Sequence, residues 1–389
     1  MRLFAQGLDA RFWSLIAATF LGFLGIGTVL PGLAPHIRHD LGGSDQSVGF
    51  VIGVFSFVAL VSRFFSGPLA DRKGRKIAFL TGLASCSLAG AAYFMPWGIP
   101  GMYVGRTLQG FGEACLYTGA AAWAVELAGI SRSAQALGFV SSGIWGGISA
   151  GPLVGTWLGT FHRAAAMQVV TALIALAAAT LVKEDYEPTP HIKHRRWIPS
   201  YLVAPGIAIG FVNVHYPVVA GFLILHLAHH GNSGPAAFSA YAGLMLLSRF
   251  FLGGLPDRIA PQITYYFGIA AMASALLILA TGPSPLIAVS GTALLGFGFS
   301  FPFSSVASTV LRQTPDSLRG SAVGILSAFY DLFVGISSFA AGAVAGRWGY
   351  PAAFVMAALA LGAAGITGKF IFRPEALPAP ETEEVLDLA

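Results

Sequence analysis

The segment Gly67-Pro-Leu-Ala-Asp71-Arg72-Lys73-Gly74-Arg75-Lys76 decides how the rest of the chain is read. It sets four basic residues and one acid in an ordered Gly-Asp-Gly spacing between two long apolar runs, 47–65 and 77–94. A short basic loop between two runs of span length reads as the cytoplasmic turn joining two membrane helices. Its outline returns once. Gly253, Leu255, Asp257 and Arg258 each lie 186 residues after Gly67, Leu69, Asp71 and Arg72.

The composition agrees with a membrane setting. Of 389 residues, 22 are Lys or Arg and 17 are Asp or Glu, so 10% are charged, where a soluble domain carries about 25%. Hydrophobic residues make up 55% and the mean hydropathy is +0.72. So few charges do not solvate the exterior of an ordinary soluble enzyme, and the apolar content excludes a disordered chain. The two cysteines, Cys86 and Cys115, lie in apolar stretches and offer no disulfide or zinc framework.

Apolar runs recur at 12–32, 47–65, 77–94, 102–125, 134–158, 164–182, 201–227, 238–252, 263–280, 286–311, 320–342 and 351–372. The first is span-length and lacks a small-residue cleavage site, so no cleavable signal is read. With the N terminus inside, sixteen Lys and Arg fall on the inner side and three, Arg38, Arg163 and Arg347, outside. That bias predicts both termini in the cytoplasm and an even number of spans. The scatter of basic residues over many loops argues against nucleic acid as a partner. The remaining three, Arg63, Arg106 and Arg249, lie within spans.

The charged segment 183–200 divides two similar halves. At the same offset Ser62-Arg63-Phe64-Phe65 maps onto Ser248-Arg249-Phe250-Phe251, and Gly110-Phe111-Gly112 onto Gly296-Phe297-Gly298. The expected fold is all-α: twelve transmembrane helices in two pseudo-symmetric six-helix bundles, 1–182 and 201–373. A cytoplasmic linker, 183–200, and a disordered acidic tail, 374–389, complete the expectation. Parallel repeats of this kind place a substrate path between the halves.

Three motifs resemble those of the major facilitator superfamily. The loop 67–76 is similar to its loop-2/3 signature. The resemblance implies a latch built from Gly67, Asp71, Arg72, Gly74 and Arg75, with Asp257 and Arg258 in the second copy. Arg63 and Arg249, equivalent in the two halves, read as gating residues. The span-4 run Arg106-Thr-Leu-Gln109-Gly110-Phe-Gly112-Glu113 resembles the family's Arg-x-x-Gln-Gly-x-Gly motif. The span-5 run with Gly147, Gly151, Pro152 and Gly155 resembles its antiporter motif, although Thr156 replaces the final Gly. A plain helix-packing face is the competing reading of that stripe. Further stretches resemble a bacterial sugar- and drug-efflux-like branch. The resemblance implies a fold, a cytoplasmic-membrane location and a bias toward export, and it names no substrate.

Charged groups at membrane depth cost about 2.5 kcal/mol or more each, so they face a cavity or one another. Helical periodicity puts Arg106, Gln109, Glu113 and Tyr117 in one narrow stripe. Arg106 maps onto Thr292, Glu113 onto Phe299, Asp331 onto Trp145 and His215 onto Val29. These unrepeated polar groups, with Asn213 beside His215, are the expected substrate and proton residues. An interior salt bridge that only fixes packing is the competing reading of the Arg106 stripe, and an interior hydrogen-bonded histidine that of His215. Asp331 reads as a proton acceptor or as a partner of Arg63. No Gly-x4-Gly-Lys-Ser/Thr loop and no nucleophile–base or His-Glu-x-x-His set occurs, so neither an ATP-driven pump nor an enzyme is expected. The expectation is a monomeric, proton-coupled exporter of a small organic solute, with no cofactor and no metal. Proton-coupled uptake of a small organic anion is the alternative.

Overall fold

The computed structural model describes residues 8–129, 132–184, 198–231, 234–252, 255–314 and 319–372. Among these the chain is almost entirely helical, with no strand. Besides a short helix at Leu255–Arg258, twelve long helices follow in order among the described residues: α1 Ala10–Asp40, α2 Asp45–Lys73, α3 Arg75–Ala92, α4 Gly98–Ala128, α5 Ser133–Leu158 and α6 Phe161–Leu181. Then come α7 Ser200–His229, α8 Gly234–Leu252, α9 Pro261–Ala280, α10 Pro285–Gln313, α11 Arg319–Trp348 and α12 Tyr350–Ile371. The expected tail, most of the linker and the Asp257 side chain lie outside the described residues.

Ten of the helices are long and apolar enough to cross a membrane on composition alone. The other two, α3 and α4, carry polar residues that lower their hydropathy. Arg75 and Lys76 open α3, and α4 holds Arg106, Gln109 and Glu113. Proline shapes several helices. Pro31 has no N–H for the Gly27 carbonyl, and α1 changes course there, with the Val29 N–H bonded to Gly27 instead. Pro217 does the same to Asn213 in α7, which breaks between Asn213 and His215.

Packing divides the chain into two compact units, residues 1–43 with 54–189 and residues 44–53 with 190–389. In the first, α3 lies along α4, and α1 packs on α5 and α6. In the second, α9 lies along α10, and α7 packs on α11 and α12. Apolar contact alone drives little association in lipid, so close approach through small residues matters. A methyl at Gly82 would stand 2.7 Å from the Gly112 carbonyl oxygen; at Gly268 it would stand 2.8 Å from that of Gly298. Both contacts obey the 186-residue offset.

The α1–α5 contact uses the antiporter-like stripe as a packing face. A methyl at Gly147 would meet the Phe20 carbonyl oxygen at 2.5 Å, and one at Gly151 the Leu24 carbonyl oxygen at 2.6 Å. Gly155 sits closer still to the Thr28 carbonyl oxygen. Thr156 turns its hydroxyl back to the Pro152 carbonyl at 2.8 Å. In the second unit the small residues change sides. Gly206 and Gly210 on α7 receive the rings of Phe329 and Phe333 on α11.

Candidate functional site

α4 gathers the buried polar groups of the first unit. Arg106 is 1% exposed. Its Nη1 donates to Gln109 Oε1 at 2.5 Å, and its guanidinium lies 4.3 Å from the centre of the Phe55 ring on α2. The Tyr93 hydroxyl donates to the same Gln109 oxygen at 3.2 Å. Gln109 Nε2 donates to Gln168 Oε1 on α6 at 3.0 Å, and Gln168 Nε2 to the Cys86 carbonyl on α3 at 2.8 Å. Arg106 and Gln109 are therefore built into a buried network spanning α3, α4 and α6. Such networks fix geometry because each unsatisfied member is costly in a low-dielectric interior.

One turn further on, Glu113 Oε1 lies 3.6 Å from Arg63 Nη2 on α2. Arg63 also stands over the Tyr117 ring, 4.8 Å from its centre. The gating residue read at 63 thus joins the acid read as a proton carrier. The backbone enforces this meeting: α2 and α4 close up at Gly110, where a Cβ would collide with the Phe55 carbonyl oxygen. A carboxylate beside a guanidinium releases its partner when it takes up a proton, so this pair can couple protonation to rearrangement.

The second unit repeats the frame with different chemistry. Arg249 stands over the Phe299 ring, 5.2 Å from its centre. His215 packs edge-on against that ring at 4.6 Å. Its Nδ1 lies 2.7 Å from the Val212 carbonyl and its Nε2 3.2 Å from the Tyr241 hydroxyl. A carbonyl only accepts, so in the neutral ring Nδ1 carries the proton and Nε2 accepts from Tyr241. Asn213, 1% exposed, donates to the Ile209 carbonyl at 2.7 Å. Its Oδ1 has no hydrogen-bond partner among the described residues. Asp331, 4% exposed, lies on α11 of the same unit.

The model of the Major Facilitator Superfamily matches residues 15–318 and 218–386. The chain belongs to the Major Facilitator Superfamily. It is 28% identical over 371 residues to an uncharacterised MFS-type transporter of Burkholderia mallei, covering 91% of this chain and 89% of that one. It is 28% identical over 359 residues to another from Salmonella typhimurium, covering 88% and 91%. Among solved structures it resembles a D-xylose-proton symporter with a TM-score of 0.77 at 14% identity, covering 95% of this chain and 98% of that one. The nucleoside transporter NupG gives 0.75 at 13% identity, covering 93% and 100%. The human organic anion transporter MFSD10 gives 0.69 at 14%, covering 92% and 100%. These likenesses carry the fold. The protein is an integral membrane protein of a transporter family.

In this superfamily member the loop 67–76 is held from within the first unit. Gly74 has φ +112°, which favours glycine. Glu184 accepts from the Arg75 and Lys76 backbone N–H groups at 2.6 and 3.0 Å, capping the N terminus of α3. Arg75 pairs with Glu126 near the end of α4. Lys76 Nζ donates to the Thr180 and Val182 carbonyls at 2.8 and 2.6 Å, closing the C terminus of α6. Asp71, Arg72 and Arg258 are exposed, and among the described residues a methyl placed at Gly67 would meet nothing within 4 Å. Sequence reasoning passed over Gln168 and Tyr93, whose signal was a polar group inside an apolar run, and Glu184, one of several linker charges. His226 is buried, with Nε2 2.8 Å from the Leu279 carbonyl. Among the described residues no three His, Cys, Asp or Glu side chains group to hold a metal ion.

Proposed function

We propose that this chain is a proton-coupled secondary transporter that exports a small organic solute across the cytoplasmic membrane by alternating access. It acts as a monomer with both termini in the cytoplasm and without a cofactor. The Arg63–Glu113 ion pair carries the reading. It joins a titratable acid at membrane depth to a basic residue on another helix, beside a rigid network that holds α4 in place. In this scheme Glu113 exchanges a proton for substrate, Arg106 and Gln109 hold the helix that presents it, and His215 and Asp331 are the further proton-carrying groups.

The test uses purified protein in liposomes loaded with a pH-sensitive dye. An imposed pH gradient is expected to drive solute against its concentration, and added solute to drive protons the opposite way. Glu113→Gln is expected to remove this coupling while the protein remains folded. Full gradient-driven flux by that variant overturns the assignment. The alternative, proton-coupled uptake of a small organic anion, is favoured by one feature: Arg63, Arg106 and Arg249 outnumber Glu113 and Asp331 among the embedded charges. Solute and protons moving in the same direction select it.

A further inference from the structure

Gln168 is a polar side chain buried in an apolar helix, and proton exchange at Glu113 gives it no part. It is 0% exposed on α6, as is Gln109 on α4, while Arg106 and Tyr93 are 1% exposed. A methyl at Gly25 would stand 3.2 Å from the Gln168 Cα, so α1 and α6 meet where this side chain leaves the backbone.

The hydrogen bonds around Gln168 run in one direction. A backbone carbonyl only accepts, so the Cys86 oxygen, 2.8 Å away, faces the Gln168 amide nitrogen. The Gln168 oxygen is thereby turned to α4, where it accepts from Gln109 Nε2 at 3.0 Å. Gln109 Oε1 in turn accepts from Arg106 Nη1 at 2.5 Å and from the Tyr93 hydroxyl at 3.2 Å. Turning either amide over would set oxygen against oxygen at one end and N–H against N–H at the other, a costly arrangement in a buried site. The Ile26 carbonyl also faces Gln109 Nε2, but at 3.4 Å it is the weaker hold.

The second unit packs without this chain of bonds. At the 186-residue offset Tyr93, Arg106, Gln109 and Gln168 become Leu279, Thr292, Leu295 and Phe354. All four change together, and Leu279, Leu295 and Phe354 are buried. Gln168 therefore goes with the arginine rather than with the helix frame. We infer that Gln168 is a positioning residue for transport: it fixes which end of the Gln109 amide meets Arg106, and so holds the guanidinium in one orientation on the helix that presents Glu113. The inference rests on the reading of Glu113 as the proton-exchanging acid.

The experiment reads the Arg106 side chain by nitrogen NMR on the purified full-length chain in nanodiscs. Arginine is isotope-labelled, and the Arg106 signals are assigned by their loss in Arg106→Lys. A guanidinium bonded into a buried network turns slowly about its C–N bonds, so the wild type is expected to show separate Nη1 and Nη2 signals. Gln168→Met is expected to merge them, because the Gln109 amide then turns. Tyr93→Phe takes a bond from the same oxygen without releasing the amide and is expected to leave them separate. In a Gln109→Leu background, Gln168→Met is expected to change nothing further at Arg106. Methionine keeps the side-chain length, and Phe354 shows that the register takes an apolar residue, so the variant is expected to fold; Gln168→Leu repeats the test where it does not. Signals that stay separate in Gln168→Met overturn the inference. So do merged signals in Tyr93→Phe, or a further change at Arg106 in the Gln109→Leu background. In the dye-loaded liposomes the probe is whichever solute the wild type moves with protons, and Gln168→Met is expected to slow it by about tenfold or more. Unchanged flux overturns the positioning role. Failure of the transport reading looks different: the Arg106 signals merge in Gln168→Met, and the wild type moves no solute with protons.

Discussion

Removing the Glu113 charge isolates the contact on which the transport reading depends. At 3.6 Å and an effective dielectric of about 20, the Coulomb attraction is about 4–5 kcal/mol. The side chains are 17% and 12% exposed, so solvent screens part of it and desolvation offsets more; a coupling of about 2–3 kcal/mol remains. Glu113→Gln leaves the Arg63 guanidinium beside a neutral amide, with about 0.5–1 kcal/mol returned by the Tyr117 ring. Arg63→Gln strips the carboxylate of the same attraction. The double variant removes both charges and is expected to be less destabilised than the two single changes added together, by about 2 kcal/mol. Reversible unfolding in mixed micelles, read by tryptophan fluorescence for all four proteins, gives this coupling energy. A coupling below about 0.5 kcal/mol refutes the pair as an energetic unit and removes the support it lends to proton exchange at Glu113.

Glycine substitutions separate close packing from open space. Gly110→Ala and Gly296→Ala place a methyl against the Phe55 and Tyr241 backbones and are expected to destabilise by about 1–3 kcal/mol each. Gly67→Ala and Gly138→Ala, with nothing within 4 Å, are expected to change little in the same unfolding assay. Glu184→Gln weakens the cap on the Arg75 and Lys76 N–H groups. Its expected effect is a loss of about 1 kcal/mol and faster amide exchange confined to the first turn of α3.

Much of this was readable in the chain because lipid makes polar residues conspicuous. Arg106, Gln109 and Glu113 share one helical face in a run where every charge is costly, so their stripe stood out from spacing alone. The 186-residue offset likewise exposed Arg63 and Arg249 as equivalents. Their partners were not readable. Which residue meets Arg63 depends on how close α2 comes to α4, and that is set by the Phe55 carbonyl pressing on Gly110, a contact between residues far apart in sequence. Periodicity also does not distinguish a stripe that lines a site from one that welds helices. The stripe at Gly147, Gly151 and Gly155 proves to lie against the α1 backbone, while Arg106 is anchored through Gln109 to Gln168, a residue that looked like an isolated polar position in α6.

The two copies of the fold show which differences packing can explain. At the α1–α5 contact the first unit sets Gly147 against the Phe20 backbone. At the same register the second has Phe333 on α11 and Gly206 on α7, so bulk gained on one helix is matched by bulk lost on its neighbour. Such an exchange preserves interhelical distance and needs no functional reason. The change from Glu113 to Phe299 is accompanied at the same offset by the reverse exchange, Trp145 to Asp331. Arg63 and Arg249 stay, one against a carboxylate and the other against a ring. The helix contacts drift in compensated pairs, and the acids move as well: each unit keeps its arginine and holds a buried acid that the other lacks, Glu113 in the first and Asp331 in the second.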